Sequence, residues 1–178
     1  MNTHRKPYFS PETLAEIGKH FGTVEKREDE LRIAFLMHRF ASDRGKEYAH
    51  HGFVRRISVL RRCIENVFEL IPVDQADVPQ KSALRDAEIN IQAFVANCYG
   101  CIDNLAWVIN FEKGLNLGRK KVGLRRHNPE LRAALSPELL KYVSQPDMDK
   151  WFDYLVDYRD ALAHRIPPLH PSGHGVAK

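Results

Sequence analysis

Apolar residues recur at steps of three and four along most of the chain, which is the pattern of helices with one buried face. The longest such stripe covers about seven helical turns and is followed by Gly114. It consists of Leu84, Ala87, Ile91, Phe94, Cys98, Ile102, Leu105 and Ile109. A second stripe, from near Gly52 to Leu70, is stopped by Pro72. No segment alternates apolar and polar residues long enough to predict a strand, so the pattern predicts an all-α fold.

Capping signals predict where further helices begin and end. The Ser10-Pro11 pair predicts a helix start, and Gly22 predicts the end of that helix. Pro129 and the Ser136-Pro137 pair predict two short helices.

The predicted elements form a single all-α domain over residues 1–178, with a core at about 10–167 and a flexible tail at 168–178. A helical stretch beginning near Glu25 weakens at Gly45, and a last helix runs over about 147–166. We therefore expect a bundle of four to five main helices with a basic loop inserted before the last one.

Composition excludes several classes of protein. With 43% hydrophobic and 28% charged residues, the chain resembles neither a disordered segment nor a membrane protein. Its apolar runs are too short to span a bilayer, and the first residues lack the apolar stretch of a secretory signal. We expect a soluble, cytoplasmic protein with no membrane partner.

Positive charge is concentrated in the segment 113–128. That segment holds six Lys or Arg residues and no acid, although the whole chain carries a net charge of only +4. We expect its basic residues to contact nucleic acid, mostly through phosphates because no aromatic residue lies among them. These candidates are Arg119, Lys120, Lys121, Arg125 and Arg126. The alternative is a solvated loop with charges at helix ends.

The metal-ligating residue types do not form a convincing site. Cys98 and Cys101 form a C-x-x-C pair inside the longest apolar stripe, and zinc would need two more ligands, from Cys63 or histidines. We expect buried core cysteines instead. His50 and His51 follow an acid by one turn, but a solvated loop is the simpler expectation, so we predict no metal and no cofactor.

The predicted last helix combines an apolar face with an arginine at its edge. The face expected to be core holds Trp151, Tyr154, Leu155, Tyr158 and Leu162. Arg159 lies among apolar neighbours at the flank, and a guanidinium there requires a partner or an anionic ligand. Asp160 precedes His164 by one turn and could hold its tautomer. The alternative is that Arg159 is a satisfied core or interface residue and His164 only favours the helix C-terminus.

The run Arg159-Asp160-Ala161-Leu162-Ala163-His164 resembles the signature of the HEPN superfamily, which lies near the end of the last main helix of an all-α bundle. The polar stretch from Asn97 to Ala106 on the preceding long helix is similar to HEPN-like helices that carry a polar residue opposite the motif. The resemblance implies a metal-independent endoribonuclease that acts as a homodimer, with Arg159 and His164 as catalytic residues and Asp160 orienting them. It also allows a cognate protein partner, as in toxin–antitoxin or defence systems.

The residue types suit this chemistry, since a histidine can move a proton of the ribose 2′-hydroxyl and an arginine can stabilise charge on the phosphate. Their spacing places them on different sides of the helix, because positions five apart lie about 140° apart around the axis. They meet one phosphate only if the helix tightens or a partner subunit completes the site. Two alternatives remain: a non-catalytic HEPN-like module that binds a nucleotide, nucleic acid or protein, and a nucleic-acid binder that uses the basic loop alone.

Overall fold

The computed structural model describes residues 8–164, with the backbone alone for Ala163 and His164, and this part of the chain is all helical. The α-helices are α1 (Pro11–Phe21), α2 (Val24–Met37), α3 (Asp43–Glu47), α4 (Arg55–Leu70), α5 (Lys81–Glu112), α6 (Pro129–Arg132), α7 (Pro137–Val143) and α8 (Pro146–His164). A π-helical segment, Tyr48–Val54, joins α3 to α4, and Arg119–Lys121 form a 3₁₀ turn. The all-α prediction is confirmed, whereas the predicted tail at 168–178 lies outside the described residues.

The predicted helix starts are confirmed at α1 and α7. The Ser10 hydroxyl accepts a hydrogen bond from the Thr13 backbone N–H at 3.2 Å, and the Ser136 hydroxyl does the same for Leu139. Each serine thereby satisfies one of the N–H groups that a helix leaves unpaired at its start. Gly22 directly follows α1, as the sequence predicts.

Helix α3, the π-helical segment and α4 follow one another without a break from Asp43 to Leu70. This helical stretch begins nine residues before Gly52, where the apolar stripe predicts the helix to start. The π-helical segment lies within it, and π turns are rare and often found at functional positions. Gly52 of this segment packs against α5, where an added Cβ would lie 2.7 Å from the Asn104 side-chain amide. The absence of a side chain at residue 52 therefore permits the close approach of the two helices.

The core lies on both sides of the C-terminal half of α5. On one side, Phe53, Val54 and Cys101 pack with partly buried apolar residues of α2 and α4. On the other side, Ala106 joins a cluster made with the basic segment, the two short helices and α8. The other buried members of that cluster are Val122, Leu124, Leu131, Val143 and Phe152. Helix α5 thus connects two apolar clusters. No helix within residues 8–164 combines the length and apolarity needed to cross a bilayer.

An arginine-centred network joins α2 to α4. Glu28 of α2 is only 7% exposed and accepts a hydrogen bond from the Ser58 hydroxyl at 2.8 Å. Arg61 of α4 lies 3.5 Å from Glu28 and donates hydrogen bonds to Glu65 at 2.7 Å and Glu25 at 2.8 Å. The hydrogen bond from Arg61 lowers the pKa of Glu65. Arg61 therefore compensates a buried carboxylate.

Replacing Arg61 by methionine should lower the free energy of unfolding by about 1–3 kcal/mol, because Glu28 stays buried after losing a charged partner. Arg62→Met is the matched control, since Arg62 is 61% exposed and does not contact the buried Glu28. That variant should lose less than about 1 kcal/mol. Urea unfolding monitored by circular dichroism measures both, and equal losses would contradict the role assigned to Arg61.

Candidate functional site

Arg159 lies between α8 and α5. Its Cζ atom is 4.3 Å from the centroid of the Tyr99 ring of α5, a cation–π arrangement. Its Nε is 3.1 Å from a carboxylate oxygen of Asp160. The direction of that contact does not make a hydrogen bond, so the buried Nε has no hydrogen-bond partner among the described residues. The motif arginine is thus held in place by an aromatic ring while one of its donors remains unused.

The buried face of α8 agrees with the predicted one at Leu155 but not at Trp151 and Tyr154. Phe152 and Leu155 are 4% and 6% exposed, whereas Trp151 and Tyr154 are 41% and 65% exposed. The prediction that Trp151 and Tyr154 belong to the core is therefore wrong. The predicted face and the observed face both have apolar residues at steps of three and four. The face that packs on α5 is the one that carries Phe152, Leu155 and Arg159. This rotation brings the arginine to Tyr99.

Arg56 of α4 lies on the same stretch of α5, in a polar setting. Its Nε donates to the Asn104 side-chain oxygen and its Nη1 donates to that of Asn97, each at 3.0 Å. Gly100 lies between the two asparagines, and an added Cβ there would come within 2.5 Å of the Arg56 Cζ. The two amides fix the guanidinium without neutralising its charge.

Asp103 links these arginines electrostatically. Burial raises the pKa of the Asp103 carboxyl even though the residue remains exposed, while the positive charges of Arg119, Arg56 and Arg159 act in the opposite direction. Three arginines from three different elements therefore lie within electrostatic reach of one carboxyl group. We call Arg56, Asp103, Arg119 and Arg159 the arginine cluster.

The basic segment is anchored by its apolar residues. Val122 and Leu124 are 7% and 4% exposed and belong to the core beside α8. The buried Asn110 side chain of α5 accepts a hydrogen bond from the Leu117 backbone N–H at 3.0 Å. The Asn128 side chain donates to the Lys120 carbonyl at 3.2 Å. These contacts give the segment a defined path across the end of α5.

The five basic residues predicted to contact nucleic acid fall into two groups. Lys121 lies 2.9 Å from Glu130, and Arg126 lies 3.3 Å from the half-buried Asp149, so these two form ion pairs. Arg119, Lys120 and Arg125 form no ion pair within the described part of the chain. Of the five, Arg119 is the one that acts on Asp103.

The motif histidine, His164, is the last residue of α8, and the structure describes its backbone alone. Helix α8 is regular through His164, so residues 159 and 164 stand about 140° apart around its axis. The side chain of His164 lies outside the described residues, and so does the predicted contact with Asp160. Asp160 itself lies beside Arg159.

The cysteines and the paired histidines have structural surroundings. Burial raises the pKa of Cys98 to about 11 and that of Cys101 to about 12, as expected for inert core thiols. Among the described residues, no three His, Cys, Asp or Glu side chains form a group that could hold a metal ion. His50 packs edge-to-face on Phe40, with ring centroids 5.5 Å apart.

Tyr99, Asp103 and Arg56 were not predicted individually, although the resemblance drew on the stretch from Asn97 to Ala106. The polar residues of that stretch lie beside the apolar stripe, which continues through Cys98 and Ile102, and they are the signal that could have indicated Tyr99 and Asp103. Arg56 carries no comparable signal, because it is one of several arginines on α4. No protein-family model, curated protein or solved structure matches this chain.

Replacing Asp103 by asparagine should leave the protein equally stable or more stable at neutral pH. Because the folded-state pKa of Asp103 is raised, its ionisation favours the unfolded chain, and that cost is present above the folded pKa. The gain should be at most about 1 kcal/mol for an exposed group and should vanish below about pH 3, where the carboxyl is protonated in both states. Urea unfolding at neutral and acid pH measures it, and a clear loss of stability at neutral pH would contradict the assignment.

Proposed function

We propose that this chain is a HEPN-like endoribonuclease that cleaves RNA without a metal ion, through Arg159 and His164 in a homodimer. The observation that carries the proposal is the position of Arg159, whose guanidinium lies on the Tyr99 ring of α5 while its side chain stays 35% exposed. The positive charges of Arg159 and of Arg119 in the basic segment both act on the Asp103 carboxyl.

The condition of the motif arginine supports this function. The Tyr99 ring holds the guanidinium, yet its Nε remains without a hydrogen bond in the described structure. A fixed arginine whose side chain is still 35% exposed suits a phosphate oxygen, because charge-assisted bonds from arginine to phosphate are strong and directional. Such a group would stabilise the charge that develops on the phosphorus oxygens during cleavage.

The spacing of the motif supports the homodimer. Since α8 is regular to its last described residue, residues 159 and 164 of one chain diverge around its axis. A site that uses both on one phosphate would combine Arg159 of one protomer with His164 of its partner. His164 would move the proton of the 2′-hydroxyl or of the leaving 5′-oxygen.

The first experiment is incubation of the purified protein with a mixed single-stranded RNA pool in EDTA. The parent protein should produce fragments and His164→Ala should lose at least about 100-fold in rate, the range of a missing general acid or base. His51→Ala is the matched control, because His51 is an exposed histidine of the π-helical segment and should cleave like the parent.

Circular dichroism and size-exclusion chromatography of the same samples show whether each variant keeps its fold and assembly. Cleavage by His164→Ala at the parent rate would overturn the proposal, as would the absence of fragments from a folded parent protein.

A second candidate function is a non-catalytic binding module in which Arg159 holds the α5–α8 interface. The stacking of Arg159 on Tyr99 and its proximity to Asp160 favour this alternative. Its site would be structural, and the arginine would contribute to packing rather than to turnover.

The two functions differ in whether Arg159 is needed for turnover, since both use its contact with Tyr99. A double-mutant cycle with Arg159→Ala and Tyr99→Leu should give a coupling free energy of about 0.5–2 kcal/mol if the interface role is correct. Thermal or urea unfolding measures it. That coupling in a parent protein that cleaves no RNA would leave only the binding module, whereas lost cleavage in a folded Arg159→Ala would exclude it.

A further inference from the structure

Three aromatic rings come together where the π-helical segment begins beside the C-terminal half of α5. The Trp107 and Phe111 rings stack with centroids 5.4 Å apart, and the Tyr48 ring lies 5.8 Å from the first and 5.3 Å from the second. All three side chains are only partly buried. The Cζ atom of Arg44 in α3 lies 5.7 Å from the centroids of both the Tyr48 and the Phe111 ring. We call Arg44, Tyr48, Trp107 and Phe111 the aromatic patch.

We propose that the aromatic patch is a stacking site for the bases of single-stranded RNA, with Arg44 as the cation that covers a stacked base. The inference rests on the proposed function for the class of ligand. It adds a site for bases to the motif and the basic segment, which act on phosphates.

The rings of the patch are fixed by contacts that do not involve a ligand. Trp107 packs against the apolar cluster formed with α8 and the basic segment. The Glu112 carboxylate accepts hydrogen bonds from the backbone N–H groups of Ala41 at 2.8 Å and Ser42 at 3.1 Å, and so ties the start of α3 to the end of α5. A base would therefore meet rings that are already in position, which lowers the entropic cost of binding.

Arg44 remains available to a ligand. Its side chain is 63% exposed, and it pairs at 3.2 Å with Glu47, which is 55% exposed. Ion pairs this exposed contribute little, so a ligand can compete with Glu47. The distance of Arg44 from the rings is near the limit of about 6 Å for a cation–π contact, whereas the Arg159 Cζ lies 4.3 Å from the Tyr99 centroid. Arg44 is thus held more loosely than Arg159 and can move over a stacked base.

The basic segment beside the patch favours a nucleic acid as the ligand. The segment begins at Lys113, two residues after Phe111, and returns to α5 where the Leu117 backbone N–H donates to the Asn110 side chain at 3.0 Å. Proteins that bind single strands combine aromatic rings for the bases with positive charge for the backbone. The aromatic residues that the basic segment itself lacks therefore lie beside its start.

The patch also lies within reach of the motif arginine. Trp107 follows Tyr99, the ring that holds Arg159, by eight residues, which is about 12 Å along the α5 axis and about 80° around it. A strand of a few nucleotides spans that distance. One strand could thus place a phosphate at Arg159 and a base on the patch.

The first measurement uses the tryptophan of the patch as the probe. The chain has two tryptophans, so Trp151→Phe leaves Trp107 as the only one. Titration with a short 2′-O-methyl RNA should quench the Trp107 fluorescence, because a stacked base contacts the indole ring. This RNA lacks the free 2′-hydroxyl that cleavage requires. An abasic strand with the same number of phosphates should leave the fluorescence unchanged.

The second measurement is the affinity of Tyr48→Leu for the same two strands, labelled with fluorescein and followed by fluorescence anisotropy. The variant should bind the strand with bases about 5- to 100-fold more weakly than the parent protein, and the abasic strand within about twofold of it. Tyr142→Leu is the matched control, because Tyr142 is a 55% exposed tyrosine of α7, and it should bind both strands like the parent.

Arg44→Gln is a second variant that leaves the ring packing intact, and it covers the case in which Tyr48→Leu does not fold. It should weaken binding of the strand with bases by about two- to fivefold, the range of an exposed cation–π contact.

Quenching by the strand with bases, together with weaker binding by Tyr48→Leu but not by Tyr142→Leu, would support the proposal. RNA binding that leaves the Trp107 fluorescence unchanged would overturn it and leave the patch to a protein partner. Equal losses of affinity for the strand with bases and the abasic strand would also overturn it, since charge alone would then explain binding.

The failures of the two proposals are distinguishable. Stacking of the 2′-O-methyl RNA on the patch of a protein that cleaves no RNA would refute the proposed ribonuclease alone. Normal cleavage without quenching of Trp107 would refute the stacking site alone.

Discussion

The close approach of Arg56 to the backbone of α5 at Gly100 is the constraint on which the polar part of the molecule depends. A side chain at residue 100 would occupy the space of the guanidinium, and Arg56 would lose its hydrogen bonds to Asn97 and Asn104. With those bonds, the charged Arg56 guanidinium lies against α5 without an ion pair among the described residues. The same stretch of α5 receives Arg159 through Tyr99, so two arginines approach from different sides.

The balance between desolvation and attraction explains the behaviour of Asp103. Burial costs the carboxylate hydration, and the surrounding arginines return only part of that free energy because none contacts it directly. The Glu28–Arg61 network between α2 and α4 is the opposite case, since its carboxylate is more deeply buried and is held by short contacts. The buried Glu28 carboxylate is thus compensated by short contacts, whereas the Asp103 carboxylate of the arginine cluster is compensated only in part.

Much of the fold was predictable because local signals determine it. The serine caps, the prolines after them and the long stripe of α5 act within a few residues, and the helices begin where those signals lie. The π-helical segment was not predicted, and the close approach of its Gly52 to Asn104 of α5 is a tertiary contact that no local signal indicates. The face of α8 was ambiguous for a similar reason: two stripes of equal period compete, and packing against α5 selects one. The contact between Tyr99 and Arg159 depends on which face of α8 packs on α5, so it was not predicted either.

The rotation of α8 also constrains how the motif can work. Because the face that carries Phe152 and Leu155 packs on α5, Arg159 is drawn into the interface while position 164 lies about 140° away around the axis. A single α8 therefore cannot present both positions to one small anion on the same side. The proposed ribonuclease would therefore need either a ligand that extends around the helix, as a polynucleotide can, or a second copy that supplies the other position. Under that proposal the anchored basic segment beside α8 would suit a polyanion.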